Sequence, residues 1–196
     1  MEKDGIKTFH AISRTAWREW LMAHHGTEKN LWLIIYKKQS GTPSVTYDEA
    51  VDEALCFGWI DSKINKRDND SFFQFFARRN PKSNWSRVNK NKIEKLIAAG
   101  LMMPSGYETI ERAKKNGSWT ALDDVENLIK PKDLQIAFDA NVAAQQNFDA
   151  FPRSVKRNIL EWLLNAKQEI TRQKRIAEIV DLAEKNERAN QYNAKK

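Results

Sequence analysis

Along residues 13–25, Ala16, Trp17, Trp20 and Leu21 recur at spacings of three and four. That is the period of an amphipathic helix, with Ser13 placed to cap its start and Gly26 to stop it. Leu31-Trp-Leu-Ile-Ile-Tyr36 is instead a short continuous apolar run, rich in β-branched and aromatic residues. It predicts a strand buried on both faces. After the turn signal Ser40-Gly-Thr-Pro43, Thr46 and Glu49 stand at the spacing of a capping box. The helix they open points Ala50, Val51, Ala54 and Leu55 inward and leaves Asp48, Glu49, Asp52 and Glu53 mostly outward. Its acidic first turns suit the positive end of a helix dipole, and Gly58 ends it. Trp59-Ile-Asp-Ser-Lys-Ile-Asn65 and Ser71-Phe-Phe-Gln-Phe-Phe-Ala77 flank the polar turn 66–70 and read as an antiparallel hairpin. With the strand at 31–36, this gives a small antiparallel sheet of about three strands.

The rest of the pattern is helical. Residues 84–99 place Trp85, Val88, Ile93, Leu96 and Ile97 on one side, between Ser83 as cap and Gly100 as stop. Ser105 and Glu108 form a second capping-box spacing, opening a helix that runs to Gly117. Residues 120–130 read as an acidic exposed connection, and Pro131 opens a helix through about Phe148. Two stripes close the chain: Val155, Ile159, Trp162, Leu163 and Ala166, then Ile176, Ile179, Val180 and Ala183. They predict a helical hairpin that buries them together, followed by a polar tail after about Asn190. The fold class is therefore α+β, a small sheet packed by helices with a C-terminal helical hairpin. Residues 1–130 form the core domain, and residues 131–196 a helical unit packed on it.

Composition adds limits. In 196 residues, 41% hydrophobic and 30% charged side chains suit a globular chain with a sizeable core. The single cysteine, Cys56, excludes an internal disulfide and ends an apolar helical run, which predicts a buried thiol. His10, His24 and His25 have no cysteine partners, so no metal or other cofactor is expected. No apolar run reaches the roughly 20 residues of a membrane span, and the charged first residues do not resemble a signal peptide, so a cytoplasmic location is expected. Charge changes the picture more. The net charge is +7, and residues 63–95 hold ten Lys/Arg against three Asp/Glu. Such a field favours an anionic partner: a small anionic ligand, an acidic protein surface, or nucleic acid. Oligomeric state leaves no signature.

The candidate chemistry gathers at Trp59–Ser62 and Arg78–Asn89. Arg78 and Arg79 close a strand just before a helix that starts near Ser83. A helix N-terminus offers unpaired N–H groups and partial positive charge, and arginine adds donors suited to phosphate or carboxylate. Trp85, Ser86 and Asn89 lie within reach of the same place. Asp61 follows Trp59 by two residues, so both point to one face of a strand. It reads as a ligand anchor, as an acid/base of an enzyme, or as the ion-pair partner of Arg78 or Arg79. The predicted ligand-binding set is Trp59, Asp61, Ser62, Arg78, Arg79, Ser83, Trp85, Ser86 and Asn89, with no catalytic residue assigned. A nucleic-acid reading would use Phe72, Phe75, Trp85 and Arg87 of the basic aromatic segment 63–95 to stack bases and track phosphates.

Several stretches together resemble one family. They are Glu53-Ala-Leu-Cys-Phe-Gly-Trp-Ile-Asp-Ser62, Arg78-Arg-Asn-Pro-Lys-Ser-Asn-Trp-Ser-Arg-Val-Asn89, Gly100-Leu-Met102 and Ala113-Lys-Lys-Asn-Gly-Ser-Trp119. Phe151-Pro152, Trp162, Ala166-Lys167, Thr171-Arg172 and Arg175-Ile176 continue the likeness toward the C-terminus. The chain resembles the YdeI/OmpD-associated, or bacteriocin-protection, family of bacterial proteins. It departs from the family pattern at Ala166-Lys-Gln-Glu-Ile-Thr-Arg172, which lacks the family's proline and has Ile170 at its glutamate position. The resemblance implies a part in envelope stress or resistance to antimicrobial peptides, and it carries over no catalytic residue. The resulting expectation is a non-enzymatic binding protein whose ligand is a small anion or an acidic partner.

Overall fold

The sheet begins earlier in the chain than the hydrophobic pattern predicts. The computed structural model describes residues 2–190. Its first strands are β1 (Glu2–Lys3) and β2 (Ile6–His10), joined by Asp4-Gly5 with both residues at positive φ. Then come β3 (Asn30–Tyr36), β4 (Trp59–Lys66) and β5 (Ser71–Arg78). The five strands lie in the order β1-β2-β3-β5-β4. All neighbours are antiparallel except β2 and β3, which run parallel. The expected sheet of about three antiparallel strands is thus a mixed sheet of five. The parallel pair exists because helix α1 (Arg14–His24) carries the chain from the end of β2 back to the start of β3, the crossover that parallel neighbours need. The β4–β5 hairpin forms as predicted, with β5 beside β3 and β4 at the edge. Between Asp61 and Ile64 the register of β4 shifts, a bulge at the outer edge of the sheet.

Helices cover the face of the sheet that carries Leu31, Leu33, Ile35 and Phe76. Ser13 caps α1 through the N–H of Ala16, and Trp17 and Leu21 are its buried residues. Helix α2 (Tyr47–Cys56) starts with the predicted capping box of Thr46 and Glu49. Its Glu53 is not outward: it is 1% exposed and accepts bonds from Arg14 and Arg18 of α1, each at 2.6 Å. Helix α3 (Arg87–Ala98) starts later than expected, capped by Ser86 and not Ser83. Its phase is set by buried Ile93 and Leu96, so Val88 and Ile97 are exposed. Helix α4 (Pro104–Lys115) begins at Met103, with no side-chain cap, so the Ser105–Glu108 capping box does not form.

The chain divides into two compact units between Ala121 and Leu122. The second unit contains α5 (Asp123–Glu126), α6 (Lys132–Asp139), α7 (Val142–Ala150), α8 (Arg153–Leu164) and α9 (Glu169–Glu184). The stretch expected to be irregular thus holds the short α5, whose Val125 and Glu126 are buried. The single helix predicted from Pro131 is broken at Asn141, whose side chain accepts from the Ala144 N–H and caps α7. Leu134, Phe138, Phe148, Ile159, Leu163, Ile176 and Ile179 form the unit's core. The final hairpin is present, but α9 also packs on α6 and α7, so the two predicted stripes do not bury each other alone.

Asp133 joins α6 to α9 within this unit through a two-point contact. Arg172 donates to it from Nε (2.5 Å) and Nη2 (2.9 Å). The guanidinium holds this carboxyl below its ordinary range. A depressed carboxyl stabilises the fold above its unfolded pKa of about 3.9, and that contribution is lost as pH falls through the lower folded value. Asp133→Asn is therefore expected to cost about 1 kcal/mol at neutral pH, discounted for partial exposure. The gap between parent and variant in urea midpoints should close on acidification below about pH 4.

Candidate functional site

Gly58 is the residue around which the site is built. It ends α2 at φ +75°, a conformation that strains any residue with a Cβ. A Cβ there would lie 2.4 Å from Thr109 Oγ1 and 2.9 Å from the Ser105 carbonyl, so the first turns of α4 rest directly on this glycine. On its other side the Gly58 carbonyl accepts the Arg79 N–H at 3.0 Å. Gly58 thus brings the end of β5 and the start of α4 to one place. Between them lies a cleft of about 660 Å³, lined also by His25, Phe57, Trp59, Arg78, Asn80 and Pro81. Such a volume lies in the range of small-molecule sites.

The far wall is one face of α4. Ser105, Glu108, Thr109 and Arg112, at helical spacings of three and four, all line the cleft. Neither Glu108 nor Arg112 forms a side-chain hydrogen bond or ion pair, although a pair four residues apart on a helix can do so. The near wall is the loop after β5, fixed from several directions. Ser83 donates to the Asn80 carbonyl (2.8 Å), and Asn116 (2.7 Å) and Ser118 (3.3 Å) donate to the Pro81 carbonyl.

Arg79 carries the site's electrostatics. It is 7% exposed, and its guanidinium lies 3.6 Å from the centroid of the Trp85 ring. Nη2 donates to the Asn84 carbonyl at 2.5 Å, while Nε and Nη1 are buried with no hydrogen-bond partner. Burial brings its pKa down to about 10, with the Asp61 charge opposing the fall. A buried charge with unmet donors is costly unless something pairs with it. Ser105 Oγ is a second buried polar atom of the cleft without a partner.

The predicted site residues separate. Trp59, Arg78 and Arg79 meet in the cleft. Trp59 is 1% exposed and directs Nε1 to the His25 carbonyl at 3.4 Å, while Arg78 directs Nε to the Glu28 carbonyl at 2.8 Å. Trp85 lies beneath Arg79, 2% exposed, and has no face left for a base. Asp61 does not pair with either arginine; it accepts the Tyr47 hydroxyl at 2.7 Å, outside the cleft. Ser62 is exposed on β4, Ser83 belongs to the Asn80 turn, and Ser86 caps α3 by accepting the Asn89 N–H at 3.3 Å. The helix start that faces the cleft is that of α4, not α3.

Sequence reasoning missed His25, Ser105, Glu108, Thr109 and Arg112. The signal for the last four was their shared helical face. Cys56 is buried and its thiol is pushed up to about 11 by desolvation, then by Glu53. Among the described residues, no three His, Cys, Asp or Glu side chains gather as metal ligands, and no helix is long and apolar enough to cross a membrane.

Residues 9–109 match the family model described as a domain of unknown function, DUF8412. Residues 127–186 match the model described as Bacteriocin-protection, YdeI or OmpD-Associated. The first match contains all of the cleft except Arg112. The second falls within the helical unit. No curated protein and no solved structure matches the chain.

Proposed function

Since the chain belongs to the DUF8412 family through residues 9–109, and its residues 127–186 match the YdeI/OmpD-associated model, we propose that it is a binding protein for a small anion, acting in the protective setting that the second model's description names. The observation that carries this reading is Arg79. It is a buried guanidinium stacked on Trp85, with two nitrogens unmet, at the wall of a cleft that also holds Arg78 and Arg112. Three guanidiniums face one carboxylate, Glu108, so the cleft is positive overall. An anion entering it would satisfy donors that the protein alone leaves open. Binding without turnover is favoured because the groups singled out for chemistry are engaged elsewhere. Asp61 is held by Tyr47, and Cys56 is a buried, neutral thiol.

The test separates ligand binding from stability. Arg79→Met keeps the side-chain stem against Trp85 and removes the buried charge, whose unmet donors cost about 1–3 kcal/mol. The ligand-free variant is expected to melt no lower than the parent. A panel of phosphate and carboxylate metabolites should raise the melting temperature of the parent with at least one compound and leave Arg79→Met unmoved. A panel without effect on the parent, or with the same effect on the variant, overturns the proposal.

A further inference from the structure

Resting on that anion-binding reading, we infer that the group seated between Arg79 and the start of α4 is a phosphoryl dianion, as a phosphate monoester carries, and not a carboxylate. The unmet donors come from two elements that touch the same residue. Arg79 offers Nε and Nη1, and its backbone N–H is tied to Gly58. Ser105, whose carbonyl packs against Gly58, offers a buried hydroxyl without a partner. Its backbone N–H also has no acceptor among the described residues. Helix α4 is twelve residues long and has no side-chain cap, so the positive end of its dipole is not answered by the protein. In many helices that role falls to a Ser, Thr or Asp at the N-cap; here the N-cap is Met103, which cannot fill it.

Geometry and charge distinguish the two kinds of anion. A carboxylate has two oxygens in one plane, and the open donors of Arg79 and Ser105 come from opposite walls. A phosphoryl group spreads three oxygens and a charge near −2 over a hemisphere. Arg78, Arg79 and Arg112 against Glu108 leave two positive charges unbalanced, the complement of a dianion. Gly26 lines the cleft without a side chain, and nothing lies within 4 Å of where its Cβ would be, which keeps that side of the seat open to the group.

The experiment is calorimetric titration of the full chain at pH 7.5 with four probes: inorganic phosphate, phenyl phosphate, the monoanionic diester methyl phenyl phosphate, and phenylacetate. Phenyl phosphate is expected to bind at least tenfold more tightly than the diester or phenylacetate. Ser105→Ala should weaken phenyl phosphate about tenfold, equivalent to about 1.4 kcal/mol, and phenylacetate much less. Ser154→Ala, at an exposed position of α8, should change neither. Phenylacetate binding as tightly as phenyl phosphate would overturn the phosphoryl assignment and leave anion binding standing. Absence of binding by all four probes would overturn both. Because the probe ranking is read on the parent protein, the result does not depend on any variant folding.

Discussion

Glu53→Ala is expected to lower stability by about 3–5 kcal/mol, the range for breaking a buried ion pair from one side. The carboxylate is the shared acceptor of two guanidiniums, Arg14 at Oε1 and Arg18 at Oε2. Removing it leaves two guanidiniums converging on a buried position that no longer holds a carboxylate. Glu53→Gln should do little better, because its amide would turn one N–H₂ toward a guanidinium donor. The arginines are not equivalent. Arg14 is the more exposed, and water can replace its partner. Arg18 also donates to the Leu101 carbonyl at 2.8 Å and lies 5.5 Å from the Phe57 ring, tying α1 to α2 and to the chain entering α4. Arg18→Ala should therefore cost more than Arg14→Ala. Urea unfolding of the four variants checks the ranking. A Glu53→Ala midpoint within error of the parent's would show that the pair contributes nothing.

The second large effect comes from the smallest change. Gly106→Ala adds one methyl group, and on a helix that substitution ordinarily stabilises by about 1 kcal/mol. Here the new Cβ would lie 2.3 Å from the Cys56 carbonyl oxygen and 2.7 Å from Met102 Cε. Met102 is a flexible side chain and can yield. The carbonyl is backbone at the end of α2 and accepts the Met103 N–H, so α4 as a whole must move away. A net loss of about 3 kcal/mol is expected, at the upper end of overpacking. Thermal unfolding measures it. Because Gly106 follows Ser105, the variant should also lose anion binding under conditions where it remains folded. A Gly106→Ala protein with the parent's melting temperature would mean that the two helices do not approach this closely.

These two contacts explain what could be read from the sequence and what could not. Ser13, the Thr46–Glu49 capping box and the Gly58 stop were legible because each involves neighbours a few residues apart. Arg78 and Arg79 were legible as a strand end beside a helix start. The choice of helix was not. Ser83 and Ser86 both precede α3, and only the Asn80 turn decides that Ser83 is used elsewhere. Ser105 and Glu108 matched a capping motif, but the chain enters α4 at Met103, so the motif is out of phase and its residues line the cleft. The outward reading of Glu53 failed because its partners come from 35 and 39 residues earlier. The first two strands were missed although Asp4-Gly5 is a strong hairpin signal, since strands of two and five residues with lysines among them show no clear alternation.

The bulge in β4 has a consequence for how copies of this chain meet one another. As the last strand of the sheet, β4 would present a row of unpaired backbone groups to any passing strand. The register shift between Asp61 and Ile64 breaks that row in the middle. Gln74 reaches from β5 to the Lys63 carbonyl at 3.1 Å, so a backbone acceptor displaced by the bulge is already occupied. Lys63 and Lys66 are exposed along the same strand, and bringing two such edges together would oppose like charges. The strand that carries Trp59 into the cleft is thereby a poor template for growth of the sheet, and the exposed Ile64 on it is kept from seeding aggregation by the irregularity of its own backbone.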